Sequence, residues 1–339
     1  MNTVETNIAL AGLTSFGIAA KAQQLMRVDS VADVLQVLKA AEADAVPLTV
    51  LGGGSNVLCT HDVRGMVMKI EIMGRRIVAE DDATVTVEFG AGESWHDVVA
   101  WTVENGWGGL ENLALIPGTV GAAPMQNIGA YGTEQASCAV SVTYVDRRTH
   151  TMHTLDADAC AFGYRESVFK HALRDVAIIT SVRYRLQRHP TVNTTYADVR
   201  NELQVRGVAA PTIRDVFDAV VAIRTRKLPD PAVIGNAGSF FKNPVVDAET
   251  YTRLRSANAD MPAYPQADGT YKLAAAWLID QCGWKGHRDG DAGVHVNQAL
   301  VLVNYGGATG RQILELSKRI VASVHDAFGV TLEREVNVW

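Results

Sequence analysis

Cysteine is sparse in this sequence, and its few copies are far apart. The four cysteines, Cys59, Cys138, Cys160 and Cys282, form no C-x-x-C pair within 339 residues. Such spacing argues against a disulfide framework and against a cysteine-based zinc site. Reduced thiols in a cytoplasmic protein are the simplest interpretation.

The sequence also lacks any apolar run long enough to cross a bilayer. The segment IALAGLTSFGIAA (8–20) is apolar, but the MNTVETN before it carries Glu5 and no lysine or arginine. A signal peptide would need a positively charged start. We therefore expect a cytoplasmic protein.

An excess of positive charge is absent as well. The net charge is −6, from 31 basic and 37 acidic residues, so no global field attracts nucleic acid or an anionic membrane. An anionic ligand would need a local basic pocket. The length of 339 residues favours two or three domains, and 47% hydrophobic with 20% charged residues is typical of globular proteins.

Several common motifs are missing. No G-K-[ST] follows LGGGSN (51–56), and Val57 stands where a dinucleotide fingerprint needs its third glycine. No G-x-S-x-G elbow is present. The HTMH segment (150–153) resembles a metal pair, but in a strand its two histidines would point to opposite faces. We expect no metal site.

Alternating helical and strand patterns fill the first third of the chain. SVADVLQVLKAAEA (30–43) predicts a helix that Ser30 caps, and VPLTVLGGGSNVL (46–58) predicts a strand that ends in three glycines. Further patterns predict strands in 140–155, 176–187 and 298–306, and helices over 272–283 and 310–329. Basic residues, prolines and glycines in 224–244 indicate a domain boundary.

Two glycine-rich loops are candidates for binding phosphate through backbone N–H groups. The first, LGGGSN, follows a strand directly, although a surface turn would read the same way. The second, IPGTVGAAPMQNIGAYG (116–132), is too apolar for a solvent loop, and its buried backbone needs polar partners. A bound pyrophosphate with an apolar ring system would provide them; a loop packed only on itself is the alternative.

A lone serine in GNAGSFFKNP (235–244) raises a different question, because no histidine lies within ten residues of Ser239. From the residues alone, Ser239 is either a turn or cap residue or a positioned hydroxyl.

Eight motifs in order resemble those of one family. They are SFGI (15–18), LGGGSN (51–56), GAGESWH (90–96), GLENLALIPGTVGAAPMQNIGAYG (109–132), FGYRES (162–167), RTRKLPDP (224–231), GNAGSFFKNP (235–244) and LEREV (332–336). Together they resemble the UDP-N-acetylenolpyruvoylglucosamine reductases, also called UDP-N-acetylmuramate dehydrogenases. TTYADV (194–199) is similar to the substrate-closing tyrosine loop of the family's first subtype.

The resemblance implies an α+β fold with a two-lobed FAD-binding domain of the vanillyl-alcohol-oxidase and cresol-methylhydroxylase type. Residues 1–74 and 75–225 would form its lobes. Residues 226–339 would form an α/β substrate-binding domain whose C-terminal strand returns to the active site. We expect a monomer with noncovalent FAD.

The implied reaction uses NADPH, through FAD, to reduce UDP-N-acetylglucosamine enolpyruvate to UDP-N-acetylmuramate, a peptidoglycan precursor. Hydride addition leaves an enolate-like carbon, which a positioned hydroxyl can protonate. The resemblance gives three catalytic residues: Ser239 as proton donor, Arg165 as carboxylate and enolate stabiliser, and Glu335 as catalytic carboxyl. An ion pair with Glu166 is the alternative for Arg165, and Glu333 is the alternative to Glu335.

The resemblance also implies two larger sets of residues. The expected FAD-binding residues are Gly52, Gly53, Gly54, Ser55, Asn56, Val57, Ile116, Pro117, Gly118, Val120, Gly121, Ala122, Gln126, Asn127, Gly129 and Ala130. The expected substrate-binding residues are Tyr196, Lys227, Asn243, Tyr264, Lys272, Lys285 and Gln298, with Arg224 and Arg226 as further cations near the nucleotide. Without the motifs, each lysine reads as a solvated surface residue.

Two departures from the family pattern are visible. Asn337 replaces the usual arginine after E-V, and Ala122-Ala123 replaces a serine pair, so backbone N–H groups would have to bind the flavin phosphates there. An FAD-dependent sugar or alcohol oxidase and a non-catalytic nucleotide-binding homologue are the competing interpretations. Neither explains the set of Ser239, Arg165 and Glu335.

Overall fold

The computed structural model describes residues 3–339 of the chain. Its α-helices are α1 (Val31–Ala43), α2 (Trp95–Glu104), α3 (Ala197–Val205), α4 (Ile213–Lys227), α5 (Ala248–Ala257), α6 (Ala275–Gln281) and α7 (Gly310–Phe328). Its strands are β1 (Glu5–Ala9), β2 (Lys21–Val28), β3 (Leu48–Leu51), β4 (Val57–Leu58), β5 (Val63–Ile70), β6 (Arg75–Glu80), β7 (Thr84–Gly90), β8 (Gly129–Ala130), β9 (Thr133–Glu134), β10 (Ala139–Asp146), β11 (Thr151–Asp156), β12 (Ala177–Gln187), β13 (Gly235–Asn236), β14 (Val245–Val246), β15 (Ala263–Pro265), β16 (Tyr271–Leu273), β17 (Arg288–Asp289), β18 (Ala292–Val294), β19 (Leu302–Asn304) and β20 (Asn337–Val338).

Local sequence signals explain where the most regular helices begin and end. The Ser30 hydroxyl accepts a hydrogen bond from the backbone N–H of Asp33 and so caps α1, as the sequence predicts. Thr309 and Gln312 form a reciprocal capping box at the start of α7. That helix ends at Gly329, whose φ of 68° is the left-handed conformation that glycine adopts without strain.

The first compact unit comprises the described residues through Ile8, Ala22–Gly54 and Arg64–Arg226. One of its sheets has the strand order β1-β2-β5-β3, with β3 and β5 parallel. A second sheet has the order β11-β10-β12-β7-β6 and is antiparallel throughout, and β8 pairs with β9 in a small third sheet. Its core is apolar and aromatic, and Trp95, Phe89 and Tyr184 are all fully buried there.

The second unit comprises Ala9–Lys21, Ser55–Val63 and Lys227–Trp339. Its sheets have the orders β13-β19-β18-β17 and β14-β16-β15, and β4 pairs with β20 in parallel. The core of this unit packs against one face of α7, where apolar residues recur at helical spacing. Each fully buried leucine or isoleucine side chain on that face contributes about 1.5–3 kcal/mol.

Two N-terminal segments belong to a different unit than the sequence suggests. Residues 9–21 and 55–63 were expected in the first FAD lobe, 1–74, but they lie with residues 227–339. The pairing of β4 with β20 and the burial of Phe16 in the second core explain this assignment. Such contacts join residues almost 300 positions apart, and local patterns do not reveal them. The boundaries at 74/75 and 225/226 stay predictions.

Local structure otherwise follows the sequence patterns with two corrections. The helix expected over 272–283 begins only at Ala275, because Tyr271–Leu273 pairs with its neighbours as β16. The strand expected over 298–306 is shortened to Leu302–Asn304. No helix among the described residues has both the length and the hydropathy that a membrane-spanning helix needs.

Candidate active site

The two glycine-rich loops of the first unit lie against each other. The ideal Cβ position of Gly53 is 2.8 Å from the Cα atom of Gly118, so only glycine permits this approach. The ideal Cβ position of Gly52 lies 3.1 Å from Thr119 Oγ1. The first loop directly follows β3. The loops therefore form one continuous backbone surface.

Several backbone N–H groups on this surface have no backbone acceptor among the described residues. Within residues 3–339, no backbone carbonyl accepts a hydrogen bond from the N–H of Gly53, Gly54, Gly118 or Thr119. The buried Thr119 hydroxyl also has no partner in this part of the chain. Buried polar groups are almost always paired, so the Thr119 hydroxyl, together with the N–H groups beside it, fits a ligand with negatively charged oxygens. The diphosphate of FAD has that chemistry.

The structure corrects one expectation about this loop. The backbone N–H groups of Ala122 and Ala123 were expected to replace the missing serine hydroxyls, but they already donate to Thr119 O (3.0 Å) and Val120 O (3.2 Å). Gly121 N–H likewise donates to Ala91 O at 2.9 Å. All three N–H groups are therefore already bonded to carbonyl oxygens of the protein, at or beside the short 3₁₀ turn over Val120–Ala122. Thr119, which sequence reasoning missed, supplies a free hydroxyl instead.

The other expected FAD-binding residues divide between the two units. Val120 is fully buried in the core of the first unit, while Ile116, Gln126, Gly129 and Ala130 are partly buried and Pro117 is exposed. Ser55, Asn56 and Val57 belong to the second unit. There Asn56 Nδ2 donates to the backbone oxygen of Glu335 at 3.1 Å.

Asn337, which stands in place of the usual arginine, is part of the same connection. Its backbone N–H and its side-chain amide both donate to Asn56 O, each at 3.1 Å. Asn337 therefore fixes the C-terminal strand to Asn56, the last residue of the first glycine loop.

The side chain of Asn127 is committed within the protein. It is 1% exposed, and its amide donates to Glu134 Oε2 (2.7 Å) and to Gly163 O (3.0 Å). Its oxygen accepts hydrogen bonds from Gln135 Nε2 (3.2 Å) and Ala136 N–H (3.1 Å). An Asn side chain offers two donors and two acceptor positions, so none remains for a cofactor.

Arg165 lies in a tight turn of the first unit. Gly163 and Glu166 exchange backbone hydrogen bonds across this turn, and Arg165 has a φ of 55°. Its Nη2 donates to Gly129 O at 2.5 Å, and its guanidinium carbon lies 5.3 Å from the ring centre of Tyr164. Glu166 contacts His171 at 2.8 Å.

Ser239 and Glu335 are brought close along the backbone of the second unit. Phe241 pairs with Arg334 in an antiparallel bridge, and Glu335 N–H donates to Phe240 O at 2.9 Å. Glu335 therefore lies opposite the residue that follows Ser239. Phe240 and Phe241 are buried, with ring centres 5.3 Å apart, while Ser239 is exposed.

The environments of the two candidate glutamates differ. Glu333 has a side chain that is 68% exposed and forms an ion pair with Lys242 at 2.6 Å. Glu335 is partly buried. Residues 331–336 form no regular strand. Glu333 and Glu335, although only two residues apart, therefore lie in different environments. Sequence reasoning missed Lys242, a lysine with only 7% of its side chain exposed.

Three expected substrate-binding residues cluster in the second unit. Tyr264 on β15 lies directly opposite Lys272 on β16. Asn243 precedes β14, which also pairs with β16, and Asn243 Oδ1 accepts a hydrogen bond from Ala275 N–H at 2.9 Å. Tyr264 is 47% exposed, so this small sheet presents an aromatic ring and a lysine from adjacent strands.

The remaining expected substrate residues lie on separate elements. Lys285 is exposed and forms an ion pair with Asp280 at 2.6 Å. Gln298 is partly buried in the turn before β19, and Lys227 is the last residue of α4. Tyr196 precedes α3, is 40% exposed, and contacts the ring of Tyr131 edge-on at 5.3 Å.

Two arginines expected near the nucleotide have structural partners in the first unit instead. Arg224 Nε donates to Leu115 O at 3.1 Å, and burial lowers the pKa of its guanidinium although Tyr131 opposes that effect. Arg226 forms an ion pair with Glu202 at 3.1 Å. Arg224 thus supports the start of the second glycine loop. Among residues 3–339, no cluster of three or more histidine, cysteine, aspartate or glutamate side chains has metal-binding geometry.

Comparisons with known proteins agree with this arrangement. Residues 22–155 match the family model of FAD binding domains. Residues 230–339 match the model described as the UDP-N-acetylenolpyruvoylglucosamine reductase C-terminal domain. The UDP-N-acetylenolpyruvoylglucosamine reductase of Pseudomonas aeruginosa is 52% identical over 99% of both chains.

The chain belongs to the UDP-N-acetylenolpyruvoylglucosamine reductase family.

Other members of the UDP-N-acetylenolpyruvoylglucosamine reductase family give the same result. The Burkholderia cenocepacia enzyme is 54% identical and covers 96% of this chain and 94% of its own length. The crystal structure of the Thermus caldophilus reductase has a TM-score of 0.71 with 25% identity, and the match covers 100% of both chains. The fold and the family expected from the sequence motifs are confirmed.

Proposed function

We propose that this chain catalyses the NADPH-dependent, FAD-mediated reduction of UDP-N-acetylglucosamine enolpyruvate to UDP-N-acetylmuramate in peptidoglycan precursor synthesis. The observation that carries the proposal is 52% identity to a curated reductase over 99% of both chains. The free donors of the two glycine loops give independent support, because they match the diphosphate of the required cofactor.

When bound, FAD supplies the hydride chemistry, since it can accept a hydride from NADPH and deliver one to a carbon acceptor. We propose that Gly53, Gly54, Gly118 and Thr119 hold its diphosphate. Their N–H groups and the Thr119 hydroxyl lie on one surface, and no backbone carbonyl in the described chain accepts a hydrogen bond from those N–H groups. The glycines allow an anion to approach the backbone closely.

Ser239 is the proposed proton donor. Reduction of an enolpyruvyl ether leaves a carbanion stabilised as an enolate, and a hydroxyl held at that carbon can protonate it. The Ser239 side chain is exposed and therefore accessible to a ligand, while the buried Phe240 and Phe241 hold its backbone. The hydroxyl needs to be positioned rather than activated, which explains the absence of a neighbouring histidine.

Arg165 and Glu335 are proposed to act on the carboxylate end of the substrate. A planar guanidinium can bind a carboxylate with two parallel hydrogen bonds and stabilise charge that develops on the enolate. Glu335 is fixed by its backbone bond to Phe240, next to Ser239, which places its carboxyl group beside the proposed proton donor. Glu333 is less suited, because Lys242 holds its carboxylate.

The nucleotide-sugar is proposed to bind through Lys227, Asn243, Tyr264, Lys272, Lys285 and Gln298, with Tyr196 closing over it. Tyr264 and Lys272 lie directly opposite each other on adjacent strands, which supports this. The tyrosine ring can stack on a base while the lysine ammonium contacts a phosphate. Tyr196 already leaves much of its ring exposed beside Tyr131. We also propose that the protein acts in the cytoplasm as a monomer, which cell fractionation and light scattering can test.

Product analysis tests the function directly. Purified protein is incubated with NADPH and UDP-N-acetylglucosamine enolpyruvate, and the product is identified by mass spectrometry. The proposal requires a product heavier than the substrate by two hydrogens, formed in equal amount to the NADPH consumed. NADPH oxidation that depends on oxygen and leaves the substrate unchanged would contradict it and favour an oxidase.

A further inference from the structure

The turn that carries Arg165 has an unusual backbone for its sequence. It spans Gly163–Glu166 and is closed by reciprocal hydrogen bonds of 3.0 and 3.2 Å between its end residues. Arg165 occupies the third position with a φ of 55°, where glycine or asparagine is usual. An arginine persists in such a conformation only when surrounding contacts hold it there. The contacts around the turn therefore bear on where the guanidinium points.

One set of contacts comes from Asn127 at the end of the second glycine loop. Its Nδ2 donates to Gly163 O at 3.0 Å, at the first residue of the turn, and to Glu134 Oε2 at 2.7 Å. Its Oδ1 accepts from Gln135 and Ala136. The side chain thus links three segments: the loop, residues 134–136 at the end of β9, and the turn. Its φ of 46° is one that asparagine tolerates better than most residues.

A second contact connects the same loop to the other end of the turn. Ser167 follows the turn, is 1% exposed, and its hydroxyl donates to Met125 O at 2.7 Å. Between these two points, Arg165 Nη2 donates to Gly129 O at 2.5 Å. The three loop residues that make these hydrogen bonds, Met125, Asn127 and Gly129, all lie within residues 125–129. The turn is therefore fastened to the glycine loop at its start, its middle and its end.

We propose that Asn127 is a positioning residue that couples the cofactor loop to Arg165, rather than a ligand of FAD. Ordering of the loop by FAD orders the turn through Asn127 and Ser167, and so aims the guanidinium at the substrate carboxylate. The inference rests on the proposed function only for the role of Arg165 toward substrate. The coupling between loop and turn is a separate physical claim and has its own measurement.

Asn127→Asp is the most informative substitution. Aspartate tolerates the left-handed backbone and keeps the size of the side chain. However, it replaces both amide donors with a carboxylate oxygen that faces the Glu134 carboxylate and the Gly163 carbonyl, so the contact to the turn becomes repulsive. Asn127→Gly removes the amide without adding charge and serves if the aspartate variant does not fold. Ser167→Ala removes the second attachment.

The functional test is a double-mutant cycle on flavin reoxidation. Reduced holoenzyme is mixed anaerobically with UDP-N-acetylglucosamine enolpyruvate, and the rate of flavin reoxidation is followed. Asn127→Asp should slow this step about 10- to 100-fold with Arg165 present, since misplacement by about 1 Å can cost that much. In an Arg165→Ala background it should add less than about 2-fold, because residues that act through each other are not additive. Reduction by NADPH should be nearly unchanged.

Amide exchange provides the readout that does not depend on activity. In the native sequence, FAD should slow exchange of the peptide covering 163–170 relative to apoprotein, and Asn127→Asp should abolish this protection. Thr102→Val is the matched control: Thr102 is fully buried in α2, away from the turn, and its hydroxyl donates to Val99 O at 2.8 Å. It should leave both readouts as in the native sequence.

The outcomes separate the two claims. Equal slowing by Asn127→Asp in both backgrounds, or FAD protection of 163–170 that survives the substitution, would overturn the proposal. If the native protein is not reoxidised by the substrate at all, the proposed function fails, and the exchange experiment alone decides whether Asn127 couples the loop to the turn.

Discussion

Replacing Gly53 by alanine tests whether contact between the glycine loops creates the cofactor site. The added Cβ would lie 2.8 Å from Gly118 Cα and 3.1 Å from Gly118 C, both backbone atoms. Ordinary carbon contacts are about 3.5–4.0 Å, so the loops must separate by at least about 0.7 Å. Overpacking of this kind costs about 1–3 kcal/mol. Separation would move the N–H groups of one loop away from a diphosphate held by the other.

The expected result is a loss of FAD affinity. If the whole cost falls on the bound state, about 1–3 kcal/mol corresponds to about a 5- to 150-fold increase in Kd. Apoprotein is titrated with FAD, and quenching of flavin fluorescence gives the Kd. Gly12→Ala is the control, because the added Cβ meets nothing within 4 Å. Unchanged FAD affinity and unchanged Tm in Gly53→Ala would refute the reasoning.

Three further predictions concern the reaction and the stability of the fold. Ser239→Ala should leave flavin reduction by NADPH intact and slow reoxidation by substrate about 10²–10⁴-fold, measured by stopped-flow; equal loss in both half-reactions would contradict its role. Glu335→Gln should slow reoxidation far more than Glu333→Gln, since Lys242 engages Glu333; the reverse order in the same assay would reassign the catalytic carboxyl. Burial lowers the pKa of His96, so the free energy of unfolding should be full above about pH 6.5 and fall as pH drops below that value, because the unfolded chain then binds more protons. His96→Gln should flatten this pH dependence of Tm, and an unchanged slope would contradict the assignment.

Local sequence signals predicted the most regular elements. The apolar spacing of α1 and α7 and the Ser30 cap of α1 predicted both helices, and the glycines after β3 predicted the first loop. Ordered motifs over nearly the whole chain identified the family and the fold. Helix caps and glycine loops depend on residues close together in the sequence, and the family is identified by many motifs in order. The sequence alone contains both kinds of information.

Contacts between segments far apart in the chain could not be predicted from local sequence patterns. Because β4 pairs with β20, residues 55–63 lie in the second unit. The N–H groups of Ala122 and Ala123, which the sequence predicted to be available to a ligand, are bonded within the protein. Two side chains of the second glycine loop, Thr119 and Asn127, illustrate why the fold is needed. One has a hydroxyl left free, the other an amide fully used, and only the fold distinguishes them.

An anaerobic absorbance spectrum of the purified holoprotein tests the central claim most directly. NADPH is added first, and UDP-N-acetylglucosamine enolpyruvate is added after the flavin band has bleached. Bleaching by NADPH followed by prompt return of the band with the enolpyruvyl substrate is the result that the account predicts. A band that returns only when oxygen is admitted, or the absence of any flavin band in the purified protein, would contradict it.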